Sequence, residues 1–102
     1  MKKLKLSGSL SREDEIKLNA AQVERRLKNF ARAAALLAEI IKNNPREYEL
    51  RAEYASLLLE TGDTRRAIAE FEQVIRAAPN VAGYRLQLGD AYMTLRQYRA
   101  AA

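Results

Sequence analysis

Residues 48–81 read YELRAEYASLLLETGDTRRAIAEFEQVIRAAPNV, and this stretch decides the fold. Apolar residues recur at helical spacing on both sides of the tetrapeptide Thr61-Gly62-Asp63-Thr64. Gly62 can adopt a positive φ and Asp63 can cap the helix that follows, so the tetrapeptide predicts a turn. Pro79 ends the second helical pattern. The stretch therefore predicts one hairpin of two helices.

The same pattern recurs along the chain with a fixed period. Pro45 and Pro79 are 34 residues apart, and frames starting at positions 14, 48 and 82 bring similar residues into the same columns. The agreeing columns are Ala33, Ala67 and Ala101; Ala21, Ala55 and Gly89; Ala20, Tyr54 and Leu88; and Phe30, Thr64 and Tyr98. A period of this length is the signature of a helical repeat. We therefore predict an all-α solenoid with repeats at about 14–47 and 48–81 and a truncated third at 82–102.

Capping and stop signals predict six helices. Ser11 can cap the first, and Ile16, Ala20, Val23 and Leu27 follow at helical spacing. The other predicted helices are 30–42, 45–60, 64–77, 80 or 81 to about 95, and a sixth that begins near Gln97. We find no sustained alternation of polar and apolar residues, so no strand is predicted.

The columns resemble the tetratricopeptide repeat, a helix–turn–helix unit of 34 residues with a closing proline. In the middle frame the matching residues are Tyr54, Ala55, Leu58, Gly62, Asp63, Ala67, Ile68, Phe71, Val74 and Pro79. The resemblance extends over residues 13–102, and the first frame departs from it where Glu24 occupies an apolar column. The resemblance implies an all-α solenoid of antiparallel helix hairpins and a non-catalytic scaffold or adaptor that binds another protein. On general resemblance we expect a segment of a larger bacterial protein.

Small and aromatic residues define the expected packing. Alanine or glycine at positions 21, 55 and 89 would let the two helices of a hairpin approach closely, and alanine at positions 33, 67 and 101 would do so between neighbouring helices. Tyr54, Tyr92 and Tyr98 fall on packing columns, so we expect them in the core, whereas Tyr48 and Tyr84 can reach the surface.

The resemblance also implies a binding surface, because the first helices of successive repeats line the concave side of such solenoids. We name the corresponding surface here the first-helix face. Its predicted partner-binding residues are Asn19, Gln22, Arg25, Arg26, Glu49, Glu53, Ser56, Leu59, Glu60, Leu86, Gln87, Asp90 and Met93. The middle and C-terminal part of this set is acidic and apolar, which predicts a peptide partner with basic and apolar side chains. The alternative is that these residues are simply solvated helix faces.

The composition argues against most enzyme classes. The chain of 102 residues has no Cys, no His and no Trp, so thiolate or imidazole ligands and Ser-His or Cys-His pairs are excluded. Glu49 and Glu53 are one helical turn apart, but no third ligand is nearby in the pattern. We predict no catalytic residues, no metal site and no cofactor.

The net charge of +5 raises nucleic-acid binding as an alternative function. Four basic residues precede Glu13, and without them 14 basic and 13 acidic residues remain, so the body is nearly neutral. The alternative interface would combine the basic N-terminal segment with Arg25, Arg26, Lys28 and Arg32.

The two ends of the chain carry separate predictions. Residues 1–10 are expected to be a flexible basic segment, and they lack the apolar run of a secretory signal. No stretch is apolar and long enough to span a membrane, so we expect a soluble chain of unassigned compartment. At the other end the truncated repeat leaves Leu88, Tyr92, Leu95 and Tyr98 as a predicted self-association surface.

Overall fold

The computed structural model describes residues 10–101, and the side chains of residues 10–97. Five helices follow one another along this part of the chain: α1 Arg12–Arg26, α2 Phe30–Asn43, α3 Tyr48–Thr61, α4 Thr64–Ala77 and α5 Ala82–Ala101. No strand occurs within residues 10–101. Each helix packs on the next one, and α3 also touches α5. This is the predicted solenoid of two hairpins followed by a third first helix.

The turns within the two hairpins have similar backbone geometry. Gly62 ends α3 with φ 91°, and Lys28, 34 positions earlier, has φ 65°. The first turn of α1 is capped as the sequence predicts, because the Ser11 hydroxyl accepts a hydrogen bond of 3.1 Å from the Asp14 amide. Asn29 and Asp63 precede α2 and α4, but neither side chain makes a capping hydrogen bond there.

The core lies between the helices and consists of alanine and large aliphatic residues around Phe71. The fully buried large side chains are Leu37, Ile40, Leu50, Leu57, Phe71 and Val74. Ala33, Ala55 and Ala67 have no exposed surface, which confirms their predicted place between helices. Leu10 also belongs to this core, although the sequence assigned it to the N-terminal segment.

Polar side chains join the helices of each hairpin. In the first hairpin the buried carboxylate of Asp14 accepts hydrogen bonds from Asn44 at 3.0 Å and Asn43 at 3.5 Å, so the start of α1 is tied to the end of α2. In the second hairpin the Arg51 guanidinium donates to Glu70 of α4 at 3.2 Å and to Gln73 at 3.0 Å.

Two predicted helix boundaries were wrong. The third helix begins at Tyr48 and not at Pro45, because Pro45 and Arg46 form a turn in which the Glu47 amide donates to the Asn44 carbonyl. No separate sixth helix begins near Gln97, since α5 continues without a break to Ala101. The third residue in the column of Lys28 and Gly62 is Arg96, and the helix continues through it. The cost of a positive φ at a residue with a Cβ is offset at Lys28 by the packing of α2 on α1, whereas no helix follows Arg96 within the described residues.

Helix α5 packs on α4, but within the described residues no second helix of the third repeat covers its other side. Two packing predictions therefore fail at this end. Tyr92 is 47% exposed and not in the core. Gly89 does not permit a close helix contact, because a Cβ at this position would meet no atom within 4 Å. The side chains of Tyr98 and Ala101 lie outside the described residues.

Candidate functional site

The first-helix face is formed by α1, α3 and α5, which are the first helices of the three frames. None of the 13 predicted residues on it is buried. Exposed side chains are Asn19, Arg25, Arg26, Glu60, Leu86, Asp90 and Met93, and half-buried ones are Gln22, Glu49, Glu53, Ser56, Leu59 and Gln87. Ala52 of α3 is only 5% exposed, so the middle helix of the face also carries a small buried residue.

Two of the predicted acidic groups are already engaged inside the protein. Glu53 of α3 forms an ion pair with Arg25 of α1. Glu49 of α3 accepts a hydrogen bond of 2.8 Å from the Tyr84 hydroxyl of α5. These two contacts cross the face from α1 to α3 and from α3 to α5, so they link its three helices. Tyr84 was not among the residues predicted for this surface, although it precedes the predicted residue Leu86 by two positions.

The environment of Tyr84 raises the pKa of its phenol to about 12. Burial is the largest cause, followed by the hydrogen bond to Glu49 and the negative charge of that carboxylate. The phenol therefore stays protonated throughout the physiological pH range, and its O–H group donates a hydrogen bond to Glu49.

The exposed carboxylates occupy a smaller part of the first-helix face than the sequence suggests. Asp90 is exposed on α5, between Leu86, which is 72% exposed, and Met93, which is 62% exposed. Glu60 is exposed at the end of α3. Positions 86, 90 and 93 are one helical turn apart, so one carboxylate is flanked by two apolar side chains on a single helix face.

Two of the four cations of the alternative interface, Arg25 and Arg32, have acidic neighbours. Arg25 is paired with Glu53, and the Arg32 guanidinium lies 3.9 Å from a Glu24 oxygen. An open depression near them is lined by Lys28, Asn29, Phe30, Ala31, Arg32, Glu60 and Thr61, so it carries both signs of charge. Nucleic-acid binding stays an untested prediction that this arrangement does not favour.

The predicted self-association surface at the C-terminal end is only partly free. Leu88 and Leu95 pack against the core, whereas Tyr92 is exposed. The Tyr92 hydroxyl lies 3.4 Å from a Glu72 oxygen of α4. The side chain of Tyr98 is outside the described residues.

Neither a metal-binding group of acidic side chains nor a membrane-spanning helix occurs in the described part of the chain. No group of three acidic side chains that could hold a metal ion occurs among the residues whose side chains are described. Within residues 10–101 no helix is long and apolar enough to cross a membrane.

The fold is that of a helical-repeat module for protein–protein interaction, of the kind that generally acts as a non-catalytic scaffold. The chain belongs to the tetratricopeptide repeat family, whose model matches residues 24–87. The matched region contains the end of α1, all of α2, α3 and α4, and the start of α5.

Solved structures with the same fold include two of MamA. One is MamA from residue 41 to the end, from Desulfovibrio magneticus RS-1, and the other is a double mutant of MamA from RS-1. Each superposes with a TM-score of 0.80 at 22% sequence identity over 91% of this chain. The chain spans about half the length of these neighbours, since it covers 52% of theirs. No curated protein matched by sequence.

Proposed function

We propose that this chain is a non-catalytic scaffold or adaptor segment that binds a peptide of a partner protein on its first-helix face. The observation that carries the proposal is the exposure of Leu86 and Met93, at 72% and 62%, on a helix whose opposite side packs on α4. Large apolar side chains exposed on the same helix face are typical of a surface that a partner covers.

The charge on this face supports a partner that is both apolar and basic. Asp90 is exposed on α5, whereas Glu49 and Glu53 are bound to Tyr84 and Arg25. Glu60 is exposed too, but it lines a depression together with Lys28 and Arg32. We therefore place the contact with basic groups at the α5 end of the face. A peptide helix with leucine and lysine at helical spacing satisfies both requirements.

The test is direct binding of a fluorescein-labelled amphipathic peptide that carries Leu on one face and Lys beside it. The double variant Leu86→Ser and Met93→Ser should weaken binding by about tenfold or more, because two apolar contacts are lost. Asp90→Asn should weaken binding less and should reduce its dependence on salt. Fluorescence anisotropy measures both effects.

The matched control is Val81→Ser, which changes an exposed apolar residue outside the predicted face. It should leave the affinity unchanged. Equal affinities of the Leu86/Met93 double variant and the parent chain would contradict the proposal.

We also propose that the open side of α5 takes part in homo-oligomer formation through Leu88, Tyr92, Leu95 and Tyr98. The exposure of Tyr92 and the empty space beside Gly89 support this. Because Leu88 and Leu95 already pack against the core, Tyr92 is the residue to change. Tyr92→Ser should shift an oligomer toward monomer in sedimentation velocity, and an unchanged profile would contradict it.

A further inference from the structure

Helix α1 has an apolar stripe on the side away from the first-helix face. It consists of Ile16, Ala20, Val23 and Leu27, and we name it the α1 outer stripe. Ile16 is 61% exposed, Val23 48% and Leu27 65%, whereas Ala20 is half-buried. Ile16, Val23 and Leu27 account for much of the large apolar surface that the described residues expose.

The repeat register shows what normally covers this stripe. Ile16 shares its column with Leu50, and Val23 shares its column with Leu57 and Ala91. Leu50, Leu57 and Ala91 are at most 1% exposed, because α3 packs on α2 and α5 packs on α4. The column of Ile16 also contains Tyr84, which is half-buried on α5. The corresponding stripe is thus buried at Leu50, Tyr54 and Leu57 of α3 and partly covered on α5, whereas on α1 it is largely exposed within the described residues.

We propose that the α1 outer stripe is a dimerisation surface, and that its occupant is α1 of a second copy of this chain, packed antiparallel. The spacing of the four residues is 4, 3 and 4, which is the alternation of a short coiled-coil seam. Two identical stripes related by a two-fold axis bring Ile16 against Leu27 of the second copy and Ala20 against Val23 of the second copy.

The charges of α1 favour the antiparallel arrangement over the parallel one. Its first turn is acidic and its last turn is basic, and Glu13 and Arg26 are exposed at these two ends. In an antiparallel pair the acidic end of one helix lies beside the basic end of the other, and the helix dipoles are opposed. A parallel pair would place equal charges and equal dipole ends side by side.

The expected dimer is weak. A helix of 15 residues is about 22 Å long, so a single helix pair buries less surface than a standard protein–protein interface. We therefore expect a concentration-dependent equilibrium between monomer and dimer. None of the four stripe residues belongs to the first-helix face, although Arg26 contributes to both surfaces. The inference does not depend on the proposed peptide binding, which is placed at α5.

The first experiment is sedimentation velocity of the full chain from about 10 μM to about 1 mM, the range in which small interfaces form. To keep the proposed contact at the open side of α5 out of this measurement, every chain compared carries Tyr92→Ser. The Tyr92→Ser chain should dimerise in this range, and adding Val23→Glu should abolish the dimer. Leu86→Glu is the matched control, because it places the same charge at an exposed apolar residue on the first-helix face and should leave the dimer intact. Circular dichroism confirms that both variants keep their helices.

The second experiment tests the antiparallel geometry by disulfide formation, for which a chain without native cysteine is a clean background. Ile16→Cys and Leu27→Cys are prepared as separate single variants. In an antiparallel pair the thiol introduced at position 16 faces position 27 of the partner copy, whereas the two copies of position 16 are about 16 Å apart along the axis. A covalent dimer should therefore form when the two variants are mixed and oxidised, and not with either variant alone.

Three results would overturn the inference. The first is a monomer at every concentration. The second is a dimer of the Tyr92→Ser chain that Val23→Glu leaves intact. The third is a disulfide that forms with Ile16→Cys alone, which would indicate a parallel pair. Loss of peptide binding by the Leu86/Met93 variant affects none of these readouts, so the two proposals fail separately.

Discussion

Lys28 and Gly62 show how a single backbone conformation is used twice with different residues. Both follow the first helix of a hairpin and both have a positive φ, at 65° and 91°. Glycine adopts this conformation without a steric penalty, whereas the Cβ of lysine is crowded there. The first hairpin therefore contains a strained turn that the second does not.

We predict that Lys28→Gly stabilises the protein by about 1 kcal/mol, because it removes the strain at a positive φ. Urea unfolding followed by circular dichroism measures the change. Lys28→Ala is the control for loss of the charge and should give no such gain, because alanine retains the Cβ. A Lys28→Gly variant no more stable than Lys28→Ala would show that the turn is not strained.

Tyr84 gives a pH-dependent prediction at the same scale. Its pKa in the folded protein is about 12, above the ordinary value of 10.0, so the folded state holds the phenolic proton more tightly than the unfolded state does. The resulting stabilisation is fully present below pH 10 and is lost as the pH rises through about 12. Tyr84→Phe should remove this part of the pH dependence.

The measurement is the free energy of unfolding of both chains between pH 9 and about 12. The parent chain should lose stability relative to Tyr84→Phe as the pH rises toward 12. Glu49→Gln should lower the pKa of Tyr84 in a tyrosinate absorbance titration, though not to the ordinary value, because burial is the largest cause of the shift. Parallel stability curves for the parent and Tyr84→Phe would show that the phenol is not perturbed.

At the scale of the helices, small residues determine how closely two neighbours approach. Ala33 and Ala67 occupy one column, 34 residues apart, and neither has any exposed surface. The column was visible in the sequence because a solenoid repeats its contacts with the period of its residues. Gly89 lies in a different column of small residues, with Ala21 and Ala55. A small residue permits a close helix contact only when a second helix packs against it.

We predict that Ala67→Leu destabilises the protein by about 1–3 kcal/mol, because the added methyl groups overpack a fully buried site. Ala69→Leu, two residues further along α4 on an exposed position, is the matched control and should change stability by less than about 0.5 kcal/mol. Both are measured by urea unfolding. Equal effects of the two substitutions would mean that Ala67 is not held between helices.

Helix ends were predicted less well than helix existence. The turn at Gly62 was found because glycine signals a positive φ, whereas the equivalent turn at Lys28 has no such signal. At Arg96 the sequence again lacks glycine, and there the helix continues to Ala101. The period predicts a turn at both positions, but a helix turns back only where packing against a second helix outweighs the cost of the turn.

At the scale of the whole molecule, packing runs from each helix to the next, so the inner and outer surfaces repeat along the solenoid. Contacts across the first-helix face then connect helices that are not consecutive, through Arg25 with Glu53 and Tyr84 with Glu49. These contacts engage two of the acidic side chains, Glu49 and Glu53, that the sequence predicts on the face. Most of the large apolar side chains that the described residues expose lie on α5 and on the outer side of α1.

The sequence by itself determined the period, the hairpins and the surface on which the first helices lie. These follow from local spacing and from residue size, which are the same in every repeat. Only the tertiary structure decided which members of a column are covered. Ile16 and Leu50 are equivalent in the sequence, but one is 61% exposed and the other is fully buried. The physical reason is that burial depends on the neighbouring helix, and α1 has no preceding helix within the described residues to cover its outer side.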